Sequence, residues 1–567
     1  MKIFSLILDH PKKTVLSICI ITSLFCISIF DLSYDFTIEQ LFAEDKQETE
    51  QYFDFQNEFS REDNVFLLIH ENPALINNQF LDSLSVLVRQ MKASNFFIDL
   101  VSLADIKRDE ENSLNDSGFD HISSRLLNMF SKDSLHGAIW LTLKDEYNTF
   151  AERADVIKFL KNTTTEYNWG WTYSGLPVVR NTYVDYMIQD NIKFIPPVAF
   201  ILIISLALLF RSWVFVVLPL VTVLITAIWI LGMMSISGKG LNVMTYMVPT
   251  LLFIIGVSDS IHFLSRLNIY LDKDIDIKEA LELSMNDMGI ALFLTSLTTA
   301  IGFLALLYSS IAIVQEFGVF IASGVFIAYV LTLTFIPSMI MILQNFLTSN
   351  ENKKEISRIK LLKGFSKLVK RKPKQVIFVS ILLTFIFLAG ASKVATGSSL
   401  LSDLHPESSL YIDLKNVEHW FGGILPMEII IEKDDNIDLP MHNKVIVGHV
   451  KDFQNQLNKM FPESNWISIQ RVLEEVLYEI DPNEKFPPDQ ETLDQINMLT
   501  QDQTQTFINF DEDKIRISGM LPDLSSEELD EARDSIMLYT KQNFPEWLSV
   551  VVTGTMPVAL NTNDYLI

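Results

Sequence analysis

Seven long, predominantly apolar runs constrain the fold of this 567-residue chain more than any other feature. A helix needs roughly 20 predominantly apolar residues to cross the hydrocarbon core of a bilayer. Runs of that order lie at residues 14–30, 194–210, 214–234, 243–264, 289–309, 315–343 and 375–391. The sequence therefore predicts a multi-pass α-helical membrane protein.

The charged residues are distributed unevenly along the chain. It has 70 Asp and Glu against 44 Lys and Arg, a formal net charge of −26, and much of the acid lies in two long segments between the apolar runs. We expect these segments to form domains outside the bilayer, and their negative charge argues against nucleic acid as a partner. The predicted parts are a first span at 1–30, a first domain at 31–192, a five-span block at 193–345, a basic linker at 346–373, a seventh span at 374–392 and a second domain at 393–567.

Basic residues near the spans predict the orientation. Lys12 and Lys13 precede the first span, Arg211 lies between the second and third, and a basic loop at 353–374 leads into the seventh. Such residues collect on the cytoplasmic side, so we expect a cytoplasmic N-terminus and two extracytoplasmic domains at the cytoplasmic (inner) membrane. The first span is not followed by a small-residue cleavage site of the kind that ends a signal peptide. We therefore interpret this span as an uncleaved anchor.

The second half of the chain repeats the first. Pro11 and Pro373 each introduce a span, at an offset of 373 − 11 = 362, and the same offset relates Phe59 to Phe421 and the strand-like segment 65–69 to 427–431. In the first unit the segment 181–191 leads into the second span, so by symmetry another span would follow Ile567. We therefore expect a fragment or a truncated copy of a twelve-span protein, a complete seven-span protein being the alternative.

Both domains show an alternating pattern of strands and helices. Strand-like runs lie at 65–69, 97–103, 138–143 and 169–173 in the first, and at 427–431, 465–469, 514–520 and 548–553 in the second. Helices are predicted at 78–91, 121–130 and 150–163, and at 443–460 and 525–541. This order predicts an α+β fold of the split β-α-β, ferredoxin-like type in both domains.

Four short motifs in the five-span block resemble those of a known family. They are GVSDSIHF at 256–263, LTSLTTAIGFLALLY at 294–308, EFG at 316–318 and FIP at 335–337. Together with the repeat, they resemble the resistance-nodulation-division (RND) superfamily, in particular its MMPL-type lipid exporters, and the spans are similar to the sterol-sensing domain of Patched-like proteins. The resemblance implies export of a hydrophobic or lipidic substrate, driven by the proton motive force and without a cofactor. The family often has a second acid beside the first, where this chain has Ser258.

Asp259 is the main candidate for the coupling site. An aspartate at the centre of a membrane helix costs about 2.5–3.5 kcal/mol on insertion scales, so an acid within a span indicates a function in proton or ion movement. His262, one turn further along the same helix face, is a candidate proton relay. The alternatives are an acid that is neutral or paired only for packing, and a histidine that is merely a polar residue near the end of the span.

Polar residues near the acid are candidates to support it. They are Ser258 in the same span and Thr295, Ser296, Thr298 and Thr299 in the next. The four residues of the later span could hydrogen-bond the carboxyl group, but Ser and Thr in membrane helices also bond the carbonyls of their own backbone. The sequence leaves both interpretations open.

Two pairs of small residues four positions apart predict close helix packing. Gly256 pairs with Ser260, and Gly318 pairs with Ala322. Small side chains at this spacing let the backbones of membrane helices approach one another.

Motifs typical of enzymes are missing from the sequence. It has neither a glycine-rich phosphate loop nor a His-Glu-x-x-His motif, and its two cysteines, Cys19 and Cys26, lie seven apart within the first span, where we expect them to be inert. We therefore predict a membrane protein that is not an enzyme and that needs neither metal nor cofactor.

The combined interpretation is a proton-driven exporter of a hydrophobic or lipidic substrate, with membrane lipids as further partners. Coupling to sodium instead of protons stays open, as does assembly into a homo-oligomer or with accessory envelope proteins. Two other hypotheses are a sterol-sensing-domain-like lipid sensor or scaffold that does not pump, and an accessory factor in protein secretion. Ligand binding that ignores the proton gradient would favour the sensor.

Overall fold

The structure is a computed structural model. It describes residues 7–34, 36–43, 46–59, 64–72, 78–105, 129–210, 212–273, 275–344, 369–391, 399–402, 404–434, 436–481, 483–499, 507–509, 513–555 and 558. Most of the basic loop at 353–374, most of the helix predicted at 121–130 and the segment after residue 558 lie outside the described residues.

The chain begins with a membrane helix and a short linking segment. Helix α1 (Pro11–Ser28) continues as a 3-10 turn to Asp31. Residues 32–43, which we call the connector, follow it and contain a second 3-10 turn, Ile38–Leu41. Helix α2 (Gln47–Glu58) comes next and was not predicted from the sequence.

A four-stranded antiparallel sheet forms the first domain. Its elements are β1 (Val65–Glu71), α3 (Asn78–Ala93), β2 (Phe97–Val101), β3 (His136–Leu143), α4 (Phe150–Thr164) and β4 (Thr172–Ser174). The strand order is β2-β3-β1-β4. Phe66 and Leu68 on one face of β1 pack with α3 and α4, whereas Leu67 and Ile69 on the other face join the core shared with the second domain.

Five long helices follow the first domain. They are α5 (Leu176–Leu209), α6 (Trp213–Ile236), α7 (Val248–Leu271), α8 (Ile277–Leu304) and α9 (Ala312–Ile342). Helix α5 has 34 residues and is roughly 50 Å long at 1.5 Å per residue. Because a bilayer core is only about 30 Å thick, this helix is long enough to begin inside the first domain, where Leu176 and Val179 are buried. Helices α6, α7 and α9 contact one another and α8 packs against α9.

The second domain has the same strand order as the first. After α10 (Pro373–Ala391) come α11 (Ser409–Phe421), β5 (Leu425–Lys433), α12 (Lys444–Met460), β6 (Trp466–Ser468), α13 (Ile469–Ile480), α14 (Gln490–Leu499), β7 (Ile508–Asn509), β8 (Lys514–Leu521), α15 (Ser526–Asn543) and β9 (Leu548–Thr553). The sheet runs β6-β8-β5-β9, all antiparallel, with β7 beside β8. The eight strands predicted from the sequence are present within three residues at each end.

Helices α1 and α5–α10 account for the predicted spans. Among the described residues, seven helices are long and apolar enough to cross a membrane. The prediction of a multi-pass helical membrane protein is therefore confirmed. None of the side chains of α10 is buried, and all but that of Val376 are exposed.

The two domains exchange their first helices. Helix α2 contacts β9 of the second domain, and α11 contacts β4 of the first. The hydroxyl oxygens of Tyr52 on α2 and Thr555 after β9 are 2.8 Å apart. In the other direction, Trp420 on α11 stacks on His136 of β3, with ring centroids 3.9 Å apart. Each domain therefore completes its core with a helix from the other.

The register of the repeat differs by one residue from the predicted offset. Leu67 pairs with Ser174 and Glu428 pairs with Thr553, and in each case a glycine with a positive φ follows, 100° at Gly175 and 120° at Gly554. Leu67 is therefore equivalent to Glu428, at an offset of 428 − 67 = 361. A slip of one residue moves a side chain to the other face of a sheet. The predicted match of 65–69 with 427–431 is wrong for this reason.

His70 makes the stability of the first domain depend on pH. It is fully buried on β1, and this burial lowers the pKa of His70 from 6.5 to about 4, with a bond to the Glu71 carbonyl opposing the shift. Between these values the unfolded chain binds the proton more readily than the folded chain, so stability present above pH 6.5 should fall by about 3 kcal/mol as the pH drops to 4.

The pH effect can be measured by urea unfolding at pH 7.0 and pH 4.5. His70→Gln should flatten the difference between the two conditions, whereas His405→Gln, at an exposed histidine, should leave it unchanged. Equal pH dependence in wild type and His70→Gln would contradict the assignment.

Candidate functional site

Asp259 lies in the middle of α7 and is buried within the helix bundle. Its side chain accepts a hydrogen bond from the Ser296 hydroxyl of α8, with 3.0 Å between Oγ and Oδ2. The residue is only 5 % exposed. The next residue, Ser260, lies 3.3 Å from the hydroxyl of Thr332 on α9. Two adjacent residues of α7 thus contact α8 and α9 at the same level of the bundle.

Tyr329 on α9 is a further residue near the acid. It lies close enough for the Asp259 charge to act on it, and its hydroxyl donates to the Gly289 carbonyl of α8 at 3.4 Å. Tyr329 was not predicted as a site residue. The sequence shows a tyrosine one turn before Thr332. Its place beside Asp259 becomes visible only from the contact of α9 with α7.

His262 and Ser258 occupy different positions from the buried acid. His262 is exposed and lies one turn further along α7 than Asp259. Ser258 is exposed on α7. The structure therefore brings His262 near the acid at the surface of the bundle and places Ser258 outside the buried contact.

The predicted polar patch on α8 divides into two kinds of residue. Ser296 is buried and bonds the carboxyl group. Thr295 donates to the Ala291 carbonyl at 3.1 Å, and Thr298 and Thr299 each donate to the Thr295 carbonyl at 2.9 Å. These three threonines bond their own helix, which is the ordinary behaviour of threonine in membrane helices.

The small residues lie at close helix contacts. A Cβ on Gly256 would be 2.9 Å from Cγ2 of Val223 on α6, and Ser260 is buried beside α9. A Cβ on Gly318 would be 2.5 Å from the Phe303 carbonyl oxygen of α8, and Ala322, one turn further along α9, is buried. Both pairs are therefore placed where side-chain size limits the approach of helices.

Gly318→Ala should destabilise the bundle by about 1–3 kcal/mol, because backbone atoms of α8 would have to move and overpacking has costs of this size. Gly302→Ala is a matched control, since a Cβ on Gly302 of α8 meets nothing within 4 Å. Thermal unfolding in detergent micelles measures both. Equal midpoints for the two variants would contradict the close contact at Gly318.

Charged residues bond one another near both ends of the bundle. Lys239 pairs with Glu316 at the start of α9, and the Asn242 amide donates to the same carboxylate at 3.3 Å. Towards the other end, Arg266 of α7 donates to Asp287 of α8, with 2.9 Å between Nε and Oδ2. The layer around Asp259 lies between these two polar clusters.

A cavity of about 190 Å³ lies between the two domains. Leu67 and Trp140 of the first sheet form part of one wall, and Glu428 and Ser518 of the second sheet form part of the other. Leu67 pairs with Trp140 in the first sheet, and Glu428 pairs with Ser518 in the second. Leu67 is therefore equivalent to Glu428 in the repeat, and Trp140 is equivalent to Ser518. At these two positions the first domain has apolar side chains and the second has polar ones, although the lining of the cavity as a whole is mainly apolar.

A buried ion pair lies on the side of the cavity that the second domain forms. Arg516 donates to Glu428 through Nε and Nη2, both at 2.8 Å, and the Ser518 hydroxyl donates to the same carboxylate at 2.8 Å. The guanidinium also lies 5.2 Å from the ring centroid of Phe55 on the exchanged helix α2. This pair was not predicted from the sequence, although Glu428 inside an apolar strand was a signal for it.

The fold and the buried acid define a multi-pass membrane protein with a polar layer inside its helix bundle. The model of the MMPL family matches residues 173–376, which include α5–α9 and Asp259. The chain therefore carries an MMPL region, and the resemblance predicted from the sequence is confirmed. MMPL proteins are transporters and not enzymes, in agreement with the prediction for this chain.

Two curated proteins are similar to the chain. A putative membrane protein, MJ1562, from Methanocaldococcus jannaschii is 29 % identical over 192 residues, which are 34 % of this chain and 47 % of that protein. The apo-petrobactin exporter of Bacillus anthracis is 23 % identical over 402 residues, 64 % of this chain and 52 % of the exporter. The chain matches about half the length of each relative.

Proposed function

We propose that this protein uses the proton motive force to export a hydrophobic or lipidic substrate across the cytoplasmic membrane. The observation that carries the proposal is the buried carboxyl group of Asp259 at the contact of three helices in the MMPL region. A buried acid that gains and loses a proton changes its interactions with its neighbours, which is what coupling to a gradient requires. The relative named as an exporter supports the direction of transport.

Protonation would act on the contact between α7 and α8. A charged Asp259 accepts a strong hydrogen bond from Ser296, and a proton on the carboxyl group weakens this attraction. The equilibrium between two arrangements of the bundle would shift with the proton, because the two states bind it differently. The domains would then alternate between a closed and an open arrangement.

The two domains would hold the substrate between them. We interpret both as split β-α-β, ferredoxin-like units that lie outside the cytoplasmic membrane, as the basic residues predict. The cavity of about 190 Å³ is smaller than the 300–1,000 Å³ of ordinary ligand sites, so this arrangement is the closed one. A mainly apolar cavity that contains the Glu428–Arg516 pair suits an amphiphilic substrate.

The proposal can be tested with everted membrane vesicles that contain the full chain. The hydrophobic dye 1-N-phenylnaphthylamine should enter these vesicles faster than vesicles without the protein when respiration maintains a proton gradient. Nigericin in the presence of potassium should remove the difference. Dye binding that is identical with and without the gradient would instead support a lipid sensor or scaffold.

A further inference from the structure

We propose that the buried ion pair between Glu39 and Arg180 transmits movement of the helix bundle to the cavity between the domains. This inference rests on the proposed function and adds the residues that couple its two parts. The connector, which carries Glu39, contacts the bundle at two places and the first domain at several.

Two backbone bridges attach the connector to the bundle. Tyr34 forms a parallel bridge with Leu241, and the Leu241 amide donates to the Ser33 carbonyl at 2.8 Å. Ala43 forms an antiparallel bridge with Ile311, the residue immediately before α9. Movement of α9, which carries Tyr329 and Thr332 beside the acid, therefore displaces the connector.

The ion pair attaches the connector to α5. Nη2 of Arg180 lies 3.0 Å from Oε2 of Glu39, and the side chains are 0 % and 12 % exposed. A charge removed from water is costly unless it is paired, so this contact resists separation. Phe36 of the connector adds a ring contact with Tyr183 of α5, with centroids 5.4 Å apart.

Arg180 is adjacent to the cavity wall. Its neighbour Val179 lines the cavity, as does Leu176 one turn earlier on α5, and both are buried. Helix α5 also begins directly after β4, whose Ser174 lines the same cavity. A pull on Arg180 through Glu39 is therefore applied to the part of α5 that shapes the cavity.

The repeat provides an independent observation. At the offsets of 361 and 362, Glu39 corresponds to Leu400 or Leu401. Gly175 and Gly554, which follow β4 and β9, are 554 − 175 = 379 positions apart, and this offset places Ala559 at the position of Arg180. The second copy thus has apolar residues where the first has a charged pair. This difference assigns the coupling pair to the half of the chain that carries the MMPL region.

The test uses a cysteine in the cavity as a reporter. In the full chain with Cys19→Ser and Cys26→Ser, the variant Ser174→Cys is reconstituted in vesicles of phosphatidylethanolamine and phosphatidylglycerol, and its reaction rate with N-ethylmaleimide is measured. Asp259→Asn imitates the protonated acid. We expect it to change the rate by roughly fivefold or more, the lower limit of ordinary allosteric coupling.

The coupling variant combines Glu39→Gln with Arg180→Met, so that neither charge is left buried alone. Its matched control combines Glu48→Gln with Arg533→Met, an ion pair at 3.7 Å whose side chains are about one-third exposed. The effect of Asp259→Asn on the reporter should be lost in the coupling variant and kept in the control. Circular dichroism establishes that both variants fold.

The outcomes separate the inference from the proposed function. If Asp259→Asn leaves the reporter unchanged in the unaltered background, the proposed coupling through Asp259 fails and the inference fails with it. If the effect is present there and equally large in the coupling variant, the inference alone is overturned. Loss of the effect in both double variants also overturns it, because the result would not be specific to Glu39 and Arg180.

Discussion

Asp259→Asn should reduce gradient-driven transport to the level of vesicles without the protein. Asparagine has nearly the same shape as aspartate, and its side-chain oxygen can still accept the hydrogen bond from Ser296. It cannot gain or lose a proton in the physiological range, so the proposed alternation between two states has no driving force. Insertion and folding should be preserved, because a neutral side chain is easier to place in a membrane than a charged one.

The measurement is dye entry into energised everted vesicles at matched protein levels. Thr298→Val is a suitable control on α8, since Thr298 is exposed and donates to the carbonyl of Thr295 in its own helix. This variant should transport at the wild-type rate. Transport by Asp259→Asn at that same rate, across the same gradient, would show that the buried acid is not the coupling site.

Arg516→Met should destabilise the second domain by about 3–5 kcal/mol, because it leaves the buried charge of Glu428 without its main partner. Glu428→Gln alone should have an effect of the same order, since it leaves the guanidinium uncompensated. The double variant should be much closer to the wild type, because a buried ion pair can be replaced by uncharged residues at little net cost.

Urea unfolding of the three variants, followed by tryptophan fluorescence, measures these differences and their coupling. Lys132→Met is a control at the exposed ion pair with Glu463, where little or no loss of stability is expected. Single variants as stable as this control would mean that the Glu428–Arg516 pair is not essential to the domain.

The membrane helices and the strands could be predicted because their signals are local. A run of about 20 apolar residues has few alternatives to a membrane helix, and alternating side chains predict a strand within a few residues of its ends. The exchanged helices α2 and α11 were missed, because Tyr52 and Phe55 pack against a domain that is more than 300 residues away in the chain.

The register of the repeat could not be predicted from similar residues alone. Alignment placed apolar 65–69 on 427–431, but the pairing of β1 and β5 with their neighbours shows the shift of one residue. This shift decides which side chains face the cavity, because successive residues of a strand point to opposite faces. The position of Glu428 in the cavity lining follows from the pairing and not from composition.

Only part of the candidate site could be predicted from the sequence. The energetic cost of an acid in hydrocarbon singles out Asp259 from the sequence. Which of the four polar residues bonds Asp259 depends on how α8 is rotated about its own axis. Four neighbouring polar residues do not define that rotation, so Ser296 could not be distinguished from Thr295, Thr298 and Thr299. The pairing of Glu39 with Arg180 depends on how the chain returns to the connector after 141 residues.

The exchange of helices means that part of the first domain can be completed only after the second domain has been synthesised. Helix α2 ends at Glu58 and the strand β9 that it contacts begins at Leu548, so β9 begins 548 − 58 = 490 positions after α2 ends. At 5–20 residues per second a ribosome needs roughly 25–100 s to make this stretch. For that time the contacts of Tyr52 and Phe55 with the second domain cannot form, although their contacts with Phe42 and Phe59 can. A newly made chain is therefore most exposed to aggregation, and most dependent on chaperones, before its second half has been translated.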